Sequence, residues 1–187
     1  MIGGATKRIL LLLAAGVCAQ PDEQVVVDFE KAVPLGPEQK ANRVLRWEEN
    51  GVVFTLAHEP RQTKGKGLLM FFTHLSTGRI GLVSAMATEP IPVRATFPTP
   101  VSSVTVSFWG SSATPAVLEA FDAAGKLLDR ASLSSVPARA APGDPIPTFT
   151  LTVQGGPIAW IHFSGPREGE YLAADEVRFT PINSSSK

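Results

Sequence analysis

Hydrophobic and polar residues alternate with a period of two along much of this chain. In the clearest case, apolar residues at 149, 151 and 153 alternate with threonines at 148, 150 and 152, and the period recurs at 25–29, 52–56 and 104–108. Successive side chains of a β-strand point to opposite faces, so this period predicts strands with one buried face. No segment keeps a helical stripe over three turns, and only residues 38–47 favour one short helix.

Turn-forming residues separate these runs. The chain has 16 glycines and 16 prolines, which fall mostly between the alternating segments, and residues 117–128 form two strand-like runs joined by a turn that ends at Gly125. We therefore expect eight to ten antiparallel strands in an all-β, two-sheet antiparallel β-sandwich. The expected organisation is one sandwich domain over residues 20–182, followed by a polar tail at 183–187.

The amino terminus predicts export. Basic Lys7 and Arg8 precede an apolar segment at 9–17 and small residues at 17–19, the anatomy of a signal peptide covering residues 1–19. An apolar run of about ten residues is too short for a transmembrane span, which needs roughly 20. In the alternative interpretation, Cys18 is the lipidated first residue of a lipoprotein.

The cysteine content and the net charge argue against a disulfide-bonded domain and against a nucleic-acid-binding protein. Cys18 is the only cysteine, so a chain cleaved after Ala19 has no disulfide. Removal of the predicted signal leaves 15 basic residues against 17 acidic residues, a formal charge of −2. Such a balance gives no electrostatic footprint for nucleic acid. We expect a monomeric exported protein, whether secreted, periplasmic or held at the cell surface.

A series of segments along the chain resembles the galactose-binding-like jelly-roll modules of exported bacterial proteins, many of which carry a carboxy-terminal sorting tail. The segments, in order, are residues 28–30, 51–54, 101–108, 120–125, 158–165 and 175–179. The chain departs from these modules by having Asp175-Glu176 where an Asp-Asn pair is usual, and by lacking a hydrophobic sorting helix. The resemblance implies the fold more firmly than an activity, because this fold serves sugar binders, adhesion modules and inert spacers.

The same resemblance implies a structural calcium ion, which in similar modules often ties the first strand to the last. Asp28, Glu30 and Asp175 occupy the matching places. Carboxylates from distant strands, together with loop carbonyls, can supply the six to eight oxygen ligands that Ca²⁺ prefers. Alternatively, Asp28 and Glu30 share a solvated strand face and Asp175 is a turn residue.

Tryptophan and histidine give the candidate ligand site. In a regular strand over 158–163, Ile158, Trp160 and His162 would share one face. If that face is exposed, the Trp160 ring beside His162 forms a platform on which a sugar can stack. Trp109 and Trp47 are further candidates, and in the alternative interpretation these tryptophans belong to the core.

Catalytic signatures are missing. The three histidines lack zinc-ligand spacing, and no Gly-x-Ser-x-Gly elbow occurs. Acidic residues at 119, 122, 168 and 170 could supply a carboxylate pair, although any exported β protein has as many. A basic loop at 57–67 could meet an acidic polysaccharide or simply be solvated.

These observations predict a non-catalytic exported binding module, and the resemblance implies carbohydrate as its ligand. A structural or adhesive module of the cell envelope that recognises protein is the alternative, and a hydrolytic enzyme is third.

Overall fold

The computed structural model describes residues 23–32, 43–59, 69–74, 77–84, 91–111, 115–136, 141, 143–163 and 171–182. These residues form strands β1 (Val25–Val27), β2 (Arg43–Val44), β3 (Trp47–Glu49), β4 (Val52–Leu56), β5 (Leu69–Thr73), β6 (Ile80–Ser84), β7 (Val93–Ser111), β8 (Ala116–Phe121), β9 (Leu127–Leu133), β10 (Thr148–Phe163) and β11 (Tyr171–Pro181). The predicted helix at 38–47 is wrong over its described part, 43–47, where β2 and the start of β3 lie instead. No helix able to cross a membrane occurs in these ranges.

Two long strands, β7 and β10, run through both layers of the fold. Residues 93–96 of β7 pair with β4 and with the end of β10, which pairs in turn with the β8–β9 hairpin. We call this layer the front sheet, in the order β3-β4-β7-β10-β8-β9. The rest of β7, from 101 onward, pairs with the start of β10 and with β11, and β11 also pairs with β1 and β6. With β5 and β2 these strands form the back sheet.

Both long strands bend between the sheets at residues that interrupt regular pairing. On β7 the bend follows Pro98 and Pro100, and on β10 the register shifts after Gln154, where Gly155 and Gly156 adopt φ angles of 114° and 122°. Glycine reaches this backbone region without the steric cost that a Cβ would impose. One continuous antiparallel sheet thus folds back over itself.

The core lies between the two sheets. Phe29, beside the back sheet, contacts Phe54 of the front sheet with ring centroids 5.2 Å apart, and Phe108 of the back sheet lies 6.0 Å from Phe163 of the front sheet. All four rings are at most 2% exposed. The predicted all-β antiparallel sandwich is therefore confirmed, with eleven strands in the described residues where eight to ten were expected.

The β8–β9 hairpin, predicted from residues 117–128, is also confirmed. The Asp122 carboxylate closes its turn, because Oδ1 accepts hydrogen bonds from the backbone N–H groups of Ala124 and Lys126 at 2.9 and 2.8 Å. Gly125 takes a φ of 85°, which glycine adopts readily. This turn fixes the register of β8 and thereby the position of Phe121 at its end.

Candidate functional site

The outer face of the front sheet carries a group of partly exposed aromatic and cationic side chains. Trp160 on β10 is directly opposite Phe121 on β8, and His162 on β10 is directly opposite Arg94 on β7. The intervening residue of β10, Ile161, is fully buried in the core. The alternation along β10 therefore directs Trp160 and His162 away from the core.

Phe121, Trp160 and Arg94 form what we call the aromatic–arginine stack. The Phe121 and Trp160 rings are stacked with centroids 3.9 Å apart and planes 13° apart, and the Arg94 Cζ atom lies 4.1 Å from the Trp160 ring centroid. Because β10 lies between β8 and β7, the phenyl ring and the guanidinium approach the indole from opposite sides. Both faces of the indole are covered.

Neighbouring groups complete the surroundings of the stack. The His162 ring lies 4.6 Å from the Trp160 ring at 48°. A Cβ built on Gly125 would lie 4.0 Å from the edge of the indole, so the hairpin turn borders the stack on that side. The hairpin thus places a backbone turn next to the ring as well as fixing Phe121.

One hydrogen bond orients the Arg94 side chain, and its other N–H donors remain available. Its Nε donates to Thr96 Oγ1 at 3.3 Å. In the described ranges no aspartate or glutamate forms an ion pair with Arg94, and the nearby Glu119 pairs instead with Arg130, with 3.5 Å between Oε1 and Nε. A guanidinium has five N–H donors, so those of the two terminal nitrogens remain available to a ligand.

His162 is neutral in this setting. Burial, together with the smaller effects of the positive charges of Arg94 and His58, lowers the pKa of His162 from 6.5 to about 4. Near neutral pH the ring is therefore an uncharged imidazole next to a cation. The electropositive character of this part of the face comes from Arg94.

The structure refines the sequence-based ligand site. It brings Trp160 and His162 together on an outer face, but a sugar cannot stack on the indole as arranged, because Phe121 and Arg94 occupy its two faces. Ile158 is fully buried instead of sharing that face, because the register of β10 shifts between Ile158 and Trp160.

Trp109 cannot serve as a surface ligand residue. It is 1% exposed on the back sheet, where its ring lies 4.8 Å from that of His74 and its indole edge packs over Gly81. Trp109 is buried in a small cluster with Val83 and Ala173 that is separate from the main core. Trp47 is half-buried with its ring 5.0 Å from that of Phe71, so it packs against the main core.

The three carboxylates of the predicted calcium site form hydrogen bonds or ion pairs with other residues of the chain. Asp175 lies at a bulge of β11, and its Oδ2 is 3.2 Å from Arg79 Nη1. Glu30 Oε1 accepts the N–H of Ile80 at 3.0 Å, while Asp28 Oδ1 accepts the N–H of Glu30 at 3.2 Å.

Burial raises the pKa of Asp175, the Arg79 charge opposes that rise, and the nearby carboxylates of Glu176 and Glu30 add to it. Over the described ranges, no three His, Cys, Asp or Glu side chains are grouped as metal ligands. Calcium binding stays a prediction.

Two of the acidic residues considered for catalysis lie in the described part of the chain and have other partners. Glu119 pairs with Arg130 and Asp122 closes the hairpin turn, while Glu168 and Glu170 lie outside the described residues. Most of the basic loop, residues 60–67, also lies outside them, as do the predicted signal peptide and the polar tail.

Sequence reasoning missed Phe121 and Arg94. Each follows the two-residue period of its own strand, which marks it as outward-facing. Phe121 and Arg94 contact Trp160 only because of which strands pair and in which register. A local sequence pattern predicts neither the strand order nor the register.

Comparison with known proteins gives only distant likenesses. No family model and no curated protein matches the chain. Among solved structures, the chain is similar to an arabinose-bound GH51 α-L-arabinofuranosidase, with 10% identity, a TM-score of 0.40 and coverage of 75% of this chain but 27% of that one.

It is also similar to the K3 cleaved adhesin domain of Lys-gingipain from Porphyromonas gingivalis, with 13% identity, a TM-score of 0.39 and coverage of 83% and 98%. A CBM4 structure matches with 12% identity, a TM-score of 0.25 and coverage of 89% and 88%. The chain spans about a quarter of the length of the arabinofuranosidase. At these identities and TM-scores the likenesses carry no argument about function.

Proposed function

We propose that this protein is an exported, non-catalytic module that binds carbohydrate on the outer face of its front sheet. The observation that carries the proposal is the aromatic–arginine stack. Phe121 and Trp160 are only partly buried and lie on the side of the sheet away from the core. The two stacked rings are not part of the main core, which is formed on the other side of the sheet by other phenylalanines and aliphatic residues.

Contiguous apolar surface bordered by polar groups marks interaction sites in soluble proteins. Here the rings of Phe121 and Trp160 are bordered by Arg94, His162 and Glu119, which can donate or accept hydrogen bonds. Sugars present both C–H surfaces and hydroxyl groups, so they suit a site of mixed apolar and hydrogen-bonding character. A ligand would contact the edges of the stack and the Arg94 donors, since the indole faces are covered.

The alternative function, an adhesive module that recognises protein, is favoured by a different feature. Within the described strands, β9 pairs with β8 alone and so lies at an edge of the front sheet. Leu127 and Leu133 on it are 47% and 37% exposed. An edge strand can accept a strand of another protein through main-chain hydrogen bonds.

A glycan array probed with the protein from Gln20 onward tests the proposal. Carbohydrate binding predicts retention on a few related glycans, and retention should be lost in Trp160→Ala and kept in Trp47→Phe, a tryptophan that packs against the core instead. Absence of glycan binding by the folded wild-type protein would contradict the proposal. If both variants still bound the glycans, the binding site would not include the aromatic–arginine stack.

A further inference from the structure

Arg94 differs from the other arginines whose side chains the structure describes. Arg46, Arg79, Arg130 and Arg178 each pair with a carboxylate of this chain. Arg94 has no such partner among the described residues, although Glu119 is nearby on the same face and pairs with Arg130. Within the described residues, no carboxylate therefore neutralises the positive charge of Arg94.

The guanidinium of Arg94 is also held in place. It packs against the Trp160 ring at 4.1 Å, and its Nε is hydrogen-bonded to Thr96. Phe121 supports the opposite face of the indole, so the cation lies at the end of a packed row of planar groups. Restraining the side chain in advance lowers the entropy lost when a ligand is bound.

The neighbouring groups favour a ligand with one negative charge. His162 is neutral near pH 7, so it adds no second positive charge beside Arg94. A guanidinium fork matches the plane and spacing of a carboxylate through two parallel N–H···O bonds. A single cation is a weaker match for a phosphate monoester, which carries nearly two charges at this pH.

We propose that the carbohydrate recognised at the stack is acidic, a sugar whose carboxylate is bound by Arg94 while its ring contacts the edges of Trp160 and Phe121. This inference rests on the proposed function and names the class of its ligand. The carboxylate supplies a partner that Arg94 lacks among the described residues, and the rings exclude water from one side of the ion pair. The interaction should weaken as salt rises, as for any partly exposed ion pair.

Isothermal titration calorimetry with oligogalacturonate, and with the same oligomer after chemical reduction of its carboxyl groups, tests this inference on the wild-type protein. We expect binding of the acidic oligomer to be at least about tenfold tighter than that of the reduced one, as loss of a charge-assisted hydrogen bond predicts. Arg94→Gln should show the same loss, while Arg178→Gln should stay within about twofold, because Arg178 lies on β11 of the back sheet and pairs with Glu176. Arg94→Lys keeps the positive charge but loses the two parallel N–H donors of the guanidinium. Its affinity for the acidic oligomer should therefore lie between those of the wild-type protein and Arg94→Gln.

Equal affinity for both oligomers would overturn the acidic-sugar inference and leave carbohydrate binding in place, as would array binding to neutral glycans alone. Failure to bind any glycan on the array or either oligomer would remove both proposals. Poly-L-glutamate titrated in parallel should bind at least about tenfold more weakly than the acidic oligomer. Equal or tighter binding of poly-L-glutamate would overturn the inference in favour of an acidic protein segment. The wild-type comparison needs no variant, so it stands even if Arg94→Gln fails to fold.

Discussion

The stability of Trp160→Ala distinguishes a tryptophan in a surface stack from a tryptophan in the core. The change removes the stacking on Phe121, worth about 0.5 to 1.5 kcal/mol, and the cation–π contact with Arg94, worth about 0.5 to 1 kcal/mol at a partly exposed site. We therefore expect the free energy of unfolding to fall by about 1 to 2.5 kcal/mol. Trp109→Ala, in which a fully buried ring is lost, should cost about 3 to 5 kcal/mol.

Urea denaturation followed by circular dichroism measures both variants without relying on tryptophan fluorescence. A double-mutant cycle with Phe121→Leu should return a coupling energy of about 0.5 to 1.5 kcal/mol if the two rings stack in solution. A loss for Trp160→Ala as large as that for Trp109→Ala would place Trp160 in the core. A coupling energy near zero would refute the stack itself.

The remaining predictions concern packing, pH and metal. Gly81→Ala should destabilise the protein by about 1 to 3 kcal/mol in the same urea assay, because the new Cβ would lie 2.7 Å from Trp109 Nε1; an unchanged midpoint would contradict that packing. Because the pKa of His162 is about 4 in the folded protein, below its ordinary value of 6.5, the unfolded chain takes up this proton first, and the His162 contribution to stability should be present above pH 6.5 and lost as pH falls towards 4. The stability difference between wild type and His162→Gln should therefore shift in favour of the variant across that window, and a difference independent of pH would count against a depressed pKa. If the predicted calcium site is occupied, excess Ca²⁺ should raise the melting temperature of metal-free protein and a chelator should reverse the rise; identical melting curves would remove calcium from the account.

Local patterns predicted the strands but not how they are shared between the sheets. The alternation at 148–153 is seen in the structure, with Leu151 and Val153 buried and the threonines at 148, 150 and 152 exposed. β10 nevertheless continues to Phe163 and enters the second sheet, because Gly155 and Gly156 bend the strand without ending it. Glycine and proline mark both turns and bends, so sequence alone does not separate the two.

The candidate site shows the same limit more clearly. Trp160 and His162 are two residues apart, and a two-residue period suffices to place them on one face. Arg94 and Phe121 come from other strands, and only the register of β7 and β8 against β10 brings them to the indole. Likewise, the covering of Trp109 depends on the approach of Gly81 from β6, which no pattern around Trp109 indicates.

The most direct test of the binding surface uses the three tryptophans as probes. In a ¹H–¹⁵N correlation spectrum, each indole Nε1–H gives its own signal, and these residues differ in position: Trp160 lies on the outer face, Trp47 packs against the core and Trp109 is buried in the back sheet. Titration with oligogalacturonate should shift the Trp160 signal in a saturable way and leave that of Trp109 unchanged. Saturable binding with shifts confined to Trp47 or Trp109, or with no indole shift at all, would contradict the placement of the binding site at the aromatic–arginine stack.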